Sequence, residues 1–348
     1  MINQIIHGDC FDVLKDIPDS SIDLILADPP YGLKFMGKDW DHGVPGIHFW
    51  EQALRVAKPG AHLMAFGGTR TFHRLAVAIE DAGWEIRDTL MWVYGGGYPK
   101  SFTALKPAWE PIILAREPLI GTVAENVLKY GTGAINVEGC RVGNTKRVPN
   151  RISTKKSQYV YNGGWGKETG KESGHNPDIG RWTANLIHDG SEEVVGLFPY
   201  QKSGKVKPYV INRDKGVVDF NRGLTQKTGY FPSSEGSAAR FFYCAKASRK
   251  ERGEGNTHPT VKPLALMKYL ITLGLPPGGT VLDPFCGSGT TALACKGLGR
   301  NYICIEKELE YYRIACNRLD QPIEHIPDKP IEEPEETVDN SPLQLALF

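Results

Sequence analysis

The sequence predicts an α/β protein built on a doubly wound, mostly parallel sheet, and three observations carry that prediction. Short apolar runs alternate with helical stretches through the first third of the 348 residues. The alternation returns near the C-terminal end after a long polar interval. Two of the apolar runs end in an acid followed by proline, Asp28 with Pro29 and Asp283 with Pro284, so each places a carboxylate at a strand end.

Along the chain, Ile22 to Ala27 reads as a buried strand, His48 to Ala57 as a helix, Ala61 to Phe66 as a strand and Thr71 to Ala82 as a helix. Thr89 to Val93 and Ile112 to Ala115 follow as strands. From about Glu117 to Glu235 the chain is rich in Gly, Lys, Arg, Asn and aromatic residues without a sustained period, which predicts an irregular insertion. Regular structure is expected again over Arg240 to Ala245 (strand), Leu264 to Leu273 (helix), Thr280 to Asp283 (strand), Gly289 to Gly297 (helix), Tyr302 to Ile305 (strand) and Leu309 to Leu319 (helix). Beyond residue 320, prolines among glutamates have a disordered-linker composition. The expected division is therefore residues 1–116, an inserted region 117–236, a second α/β half at 237–320 and an acidic tail at 321–348.

With 41% hydrophobic and 23% charged residues, the composition is that of a folded globular chain rather than a disordered or fibrous one. No apolar run nears the roughly 18 residues of a membrane helix, and the first residues lack a basic region and a cleavage site, so a cytoplasmic location is expected. Seven cysteines without a close C-x-x-C pair point away from a zinc site or a disulfide framework. The net charge of +1 hides an uneven distribution: residues 117–255 carry an excess of eight positive charges and residues 321–348 an excess of six negative ones. A nucleic-acid-facing middle is the expected consequence.

The chemistry concentrates in two segments. Asp28, Pro29, Pro30 and Tyr31 bring an acid, two kinked carbonyls and an aromatic ring to the end of the first buried strand. Asp283, Pro284, Phe285, Cys286, Gly287, Ser288, Gly289, Thr290 and Thr291 lie between a strand and a helix, where glycines allow a tight turn and close backbone approach of a nucleotide-like ligand. The loop lacks the lysine of a phosphate-binding loop and the third glycine of the dinucleotide fingerprint, so neither ATP nor NAD is favoured. Some seventeen residues beyond Gly289, Glu306 ends the next strand, where a carboxylate can accept both hydroxyls of a ribose. Glu308 and Glu310 nearby leave a cluster of helix-start acids as the competing reading.

Together these segments resemble the S-adenosylmethionine-dependent DNA amino-methyltransferases, in the permuted group whose D-P-P-Y segment precedes the F-x-G-x-G loop. Further matches stand in order: His7 to Cys10, Lys106 to Pro111, and His258 to Pro263, spanning nearly all of residues 1–320. The resemblance implies a circularly permuted, Rossmann-like methyltransferase fold with residues 117–236 as target-recognition region. It implies S-adenosylmethionine bound by Asp9, Cys10, His258, Thr260, Lys262, Asp283, Phe285, Gly287, Ser288, Gly289, Thr290 and Glu306. Without it, His258 and Lys262 would read as surface residues around a proline-rich turn.

An exocyclic amine is a poor nucleophile because its lone pair is delocalised into the base. A carboxylate at Asp28 and the carbonyl of Pro29 can accept its N–H bonds and localise that pair. Inside a duplex the amine is out of reach for in-line attack, so the base is expected to flip into a pocket, with Tyr31 projecting as a stacking face. Trp40, Trp92 and Trp109 are candidates for the opposite wall, and core packing serves each equally well. Lys146, Arg147, Arg151, Lys155, Lys156, Lys167, Lys171 and Arg181 alternate with Tyr159, Tyr161, Trp165 and Trp182, which suits contact with double-stranded DNA. The last residues, Gln344, Leu345, Ala346, Leu347 and Phe348, resemble the peptide with which bacterial replication proteins bind the sliding clamp.

The expected activity is site-specific adenine-N6 methylation of DNA. Cytosine-N4 methylation stands beside it, since both amines make the same geometric demand, although relatives acting on cytosine usually carry Ser at the position of Asp28. A non-catalytic DNA-binding or clamp-binding protein on a methyltransferase shell is the alternative from another class.

Overall fold

The computed structural model describes residues 2–33, 43–99, 102–143, 180–202, 210–211, 218–219, 235–245 and 255–320. Its strands are β1 (Gln4–His7), β2 (Ile22–Ala27), β3 (Ala57–Phe66), β4 (Glu85–Val93), β5 (Trp109–Arg116), β6 (Leu186–His188), β7 (Tyr200–Lys202), β8 (Val210–Ile211), β9 (Val218–Asp219), β10 (Glu235–Ser237), β11 (Tyr243–Cys244), β12 (Thr280–Asp283) and β13 (Asn301–Glu306). The helices are α1 (Cys10–Asp16), α2 (Ile47–Val56), α3 (Phe72–Asp81), α4 (Val123–Tyr130), α5 (Glu192–Val195), α6 (Leu264–Gly274), α7 (Thr290–Leu298) and α8 (Leu309–Leu319). No described helix is long and apolar enough to cross a membrane.

One nine-stranded sheet runs in the order β1-β13-β12-β2-β3-β5-β4-β6-β11. Only β5 lies antiparallel to its neighbours, β3 and β4. This is the doubly wound, mostly parallel sheet that the apolar runs predict. Successive side chains of a strand point to opposite faces, and here both faces are covered. Leu24, Leu26, Met64, Phe66, Ile112 and Leu114 belong to one core layer, whereas Ile25, Ala27, Leu63, Ala65, Ile113 and Ala115 belong to the other. That double burial is why β2 reads as a continuous apolar run. The one charged residue in it, Asp23, is 5% exposed and is matched by Lys58 Nζ at 2.6 Å and the backbone N–H of Thr280 at 2.9 Å.

Several elements differ from expectation. Arg240 to Ala245 is not one strand: Ala238–Phe241 forms a 3-10 turn and only Tyr243–Cys244 pairs with β6. The Ser237 side chain caps that turn by accepting from Ala239 N at 3.2 Å. The stretch after Glu117 is not wholly irregular. It holds α4, opened by a reciprocal capping box of Thr122 and Glu125, and it contributes β6 to the main sheet beside β4. β1 and α1 were not legible as elements, though the His7 to Cys10 segment that joins them was singled out. β3 begins at Ala57, earlier than its apolar pattern suggests, and its register with β2 shifts between Ile22 and Leu24. Gly60, with φ +77°, lies in that shifted stretch. A Cβ there would stand 2.4 Å from the amide nitrogen of Asn126, the buried side chain by which α4 docks. Asn126 donates to Pro59 O and Thr132 O and accepts from Ile120 N, so its burial leaves no polar atom unmatched.

Candidate active site

β2 and β12 are hydrogen-bonded neighbours, with Val281 beside Leu24 and Leu282 beside Ile25. The chain leaves this pair in opposite directions, through β3 on one side and β13 and β1 on the other, so the switch point of the sheet lies between Asp28 and Asp283. There a cavity of about 340 Å³ opens, lined by Asp9, Cys10, Asp28, Pro30, His258, Thr260, Pro284, Phe285, Gly287, Glu306, Lys307, Glu308 and Tyr311. Its volume is in the range of small-molecule sites, roughly 300–1,000 Å³.

The walls are built from strand ends and helix starts. Asp9 caps α1, accepting from Phe11 N at 2.9 Å, and pairs with Lys307 Nζ at 3.0 Å. Phe285 is set by Phe49 of α2, with ring centroids 5.1 Å apart. Gly287 has φ +51°, and a Cβ there would meet the His258 imidazole at 2.7 Å. That hairline clearance brings the His258 loop over the glycine turn, and the same imidazole packs edge-on against Tyr311 at 4.4 Å. Glu306 is 8% exposed; its Oε2 accepts from Gly287 N at 2.7 Å and its Oε1 from Glu308 N at 2.8 Å. Burial pushes its carboxyl up to about 7, against the lowering effect of those two backbone bonds. The Cys10 thiol is pushed up to about 12 by burial and the neighbouring Asp9, so it stays protonated and uncharged at neutral pH.

Not every residue expected at the cofactor reaches the cavity. Asp283 lies beneath it, 2% exposed, accepting from Phe285 N at 3.0 Å and from the Thr291 hydroxyl. Burial pushes its carboxyl up to about 7. Ser288 and Thr290 turn towards Arg318, whose Nη1 lies 3.0 Å from Ser288 Oγ and 3.3 Å from Thr290 Oγ1. Gly289 serves packing: at φ +79°, a Cβ would stand 2.9 Å from that of Ala315 on α8. These four residues shape the turn rather than line it.

Lys262 also points elsewhere, and it shows a group that sequence reasoning left without a role. Its Nζ lies 3.0 Å from Asp28 Oδ2, 3.2 Å from Glu110 Oε2 and 3.1 Å from the Tyr31 hydroxyl, and 4.8 Å from the centre of the Phe66 ring. Burial opposes its charge, but Asp28 and Glu110 outweigh that and hold the ammonium above its ordinary range. The Tyr31 hydroxyl lies 2.9 Å from Asp28 Oδ1 and 3.1 Å from Glu110 Oε2, and Tyr94 reaches Glu110 Oε1 at 3.4 Å. Burial and the two carboxylates push the Tyr31 phenol well above its usual value, so it remains a donor. Tyr31 therefore does not project freely outward. Its hydroxyl is tied inward, and its backbone carbonyl accepts from Thr71 Oγ1 at 2.7 Å. Glu110 belongs to the Lys106 to Pro111 segment already matched, which was the available signal.

Trp92 packs against Tyr94 and is 9% exposed, Trp109 packs edge-on to Phe72, and Trp40 lies outside the described residues. So do the basic residues from Lys146 to Lys171 with Tyr159, Tyr161 and Trp165, and the tail with Gln344 to Phe348. A larger cleft of about 840 Å³ opens elsewhere, between Arg116 at the far end of β5 and Pro276 and Pro277 ahead of β12. Its charged side chains are engaged locally, Arg116 with Glu85 at 2.6 Å and Glu138 with Arg141 at 2.6 Å. The cavity at the switch point is the one that gathers the motif residues.

Comparison with known proteins agrees with that geometry: the family described as DNA methylase, of N6 and N4 specificity, matches residues 22–317. The chain belongs to this DNA methylase family. The methylase is thus an S-adenosylmethionine-dependent enzyme that modifies an exocyclic N6 or N4 amine of DNA. It is similar to the Type II methyltransferase M.HindIII of Haemophilus influenzae, 25% identical over 92% of this chain and 96% of that protein. It is also similar to the Type II methyltransferase M.HpaI of Haemophilus parainfluenzae, 24% identical over 92% of this chain and 75% of that protein. Among solved structures, the cytosine-N4-specific PvuII DNA methyltransferase shares the fold, with a TM-score of 0.50 and 13% identity over 93% of this chain and 88% of that one.

Proposed function

We propose that the methylase transfers a methyl group to the N6 amine of an adenine flipped out of double-stranded DNA. One observation supports this reading above others: Asp28, at the position where relatives acting on cytosine usually carry Ser, lines the cavity that Phe285, Gly287 and Glu306 also line. Those residues suit the cofactor, because Phe285 gives the cavity an apolar wall and Glu306 offers a buried carboxylate to ribose hydroxyls. When bound, S-adenosylmethionine supplies an electrophilic methyl on a sulfonium that leaves as a neutral thioether.

The chain's own residues then act on the amine. Asp28 and the Pro29 carbonyl accept its two N–H bonds, so the lone pair is directed at the methyl carbon. As the N–C bond forms and the S–C bond breaks, positive charge develops on the base, and Asp28 stabilises it. The surplus proton leaves the nitrogen for Asp28 or water. Asp9 and Cys10 flank the cofactor's adenine in this reading, and His258 and Thr260 cover it.

Nucleoside analysis of DNA treated with the enzyme tests the choice of base. N6-methyladenine is expected, and N4-methylcytosine without it overturns the reading. Asp28→Ala is expected to keep DNA and cofactor binding and to lose transfer. For the tail, removing residues 344–348 is expected to abolish retention on immobilised sliding clamp while methylation of a short oligonucleotide continues. Unchanged retention removes the clamp from its partners.

A further inference from the structure

We infer that Glu110 is a positioning residue that shares Lys262 with Asp28, so that the cation can turn to Glu110 when the incoming amine takes the Asp28 carboxylate. The inference rests on the reading of Asp28 as amine acceptor. An ammonium has three N–H donors, and three oxygens stand within reach of Lys262 Nζ: Asp28 Oδ2 at 3.0 Å, the Tyr31 hydroxyl at 3.1 Å and Glu110 Oε2 at 3.2 Å. Tyr31 has one O–H proton and two carboxylates within 3.1 Å. Two carboxylates therefore share one cation and one phenol proton, in a group whose charged side chains are 9% to 20% exposed.

That sharing matters for the acceptor. A lysine paired with Asp28 alone would neutralise the charge that must localise the amine's lone pair. With Glu110 present, the cation divides between two acids. When an amine N–H claims Asp28 Oδ2, Lys262 can turn to Glu110 without being stranded as an unpaired buried charge, which would be costly. Tyr94, 3.4 Å from Glu110 Oε1, braces the second acid in place. Asp283, on the adjoining strand end, feels the Asp28 charge, and His258 lines the same cavity.

Glu110→Gln keeps the shape and removes the charge. Lys262 then pairs with Asp28 alone, and kcat is expected to fall about ten- to a hundredfold, the loss of one charge-assisted contact. KM for S-adenosylmethionine should stay within about twofold, since Glu110 is not among the residues lining the cofactor cavity. Glu110→Asp, which retains the charge, should recover most of the kcat lost in Glu110→Gln.

The assay is incorporation of labelled methyl into genomic DNA from a methylation-deficient bacterium, so it does not depend on which base is modified. Wild-type kcat in Glu110→Gln overturns the inference. So do equal losses of kcat in Glu110→Gln and Glu110→Asp, which mark a packing role. Asp28→Ala is run alongside: if it still transfers methyl groups, the reading of Asp28 fails, whereas silence at Glu110 alone leaves that reading standing.

Discussion

At the scale of single residues, Glu306 joins two demands. Its oxygens accept backbone N–H bonds that shape the glycine turn, and in the proposed function it also accepts the cofactor's ribose hydroxyls. A carboxyl raised to about 7 takes up its proton in the folded protein before it does in the unfolded chain. Its contribution to stability is therefore present at low pH and lost as pH rises through about 7. Under the proposed function cofactor affinity has the opposite sign, since ribose hydroxyls would donate to the ionised form. Binding of S-adenosylmethionine followed by calorimetry is expected to weaken by up to about tenfold between pH 8 and pH 6, and Glu306→Gln should flatten that dependence. Phe285, Gly287 and Glu306 were legible because the loop and the following strand are contiguous in sequence. The Lys262 and Glu110 contact was not, because it joins segments 152 positions apart and neither side chain announces its partner.

At the scale of elements, legibility followed burial. β2, β12 and α8 match their expected bounds, since continuous apolar runs or helical periodicity mark them without ambiguity. α4 escaped notice because it is short and sits in a Gly-rich, polar stretch, although Val123, Ala124, Val127 and Leu128 stand at helical spacing; its capping box was the other usable sign. β6 and β11 are two or three residues long, too few to show a period. The packing of α7 on α8 makes a direct prediction. Gly289 and Gly299 both have positive φ, at +79° and +62°, but a Cβ at Gly289 strikes Ala315 whereas one at Gly299 meets open space. Both alanine variants lose roughly 1–2 kcal/mol to the left-handed backbone. Gly289→Ala should lose more than Gly299→Ala in urea denaturation, and equal losses would show that α8 yields to the added methyl.

At the scale of the whole molecule, the order of the sheet joins what the sequence separates. The acceptor segment is encoded before the cofactor loop, yet β2 and β12 pair directly, so the chemistry depends on adjacent strand ends and not on the order of their translation. The expected division sets residues 117–236 apart from the α/β segments, yet Leu186–His188 within that stretch extends the central sheet. Such partnerships depend on tertiary pairing and leave no local pattern.

That pairing has a consequence for how the protein is made. On the ribosome, β2 emerges with one of its edges bare, and that edge stays bare until residues 280–283 have been synthesised and can dock. β1 waits longer still, for β13. A nascent chain halted before α6 thus presents an apolar strand with unsatisfied amides and carbonyls, the surface on which chains stick to one another. For this fold, finishing synthesis promptly is itself a safeguard against aggregation.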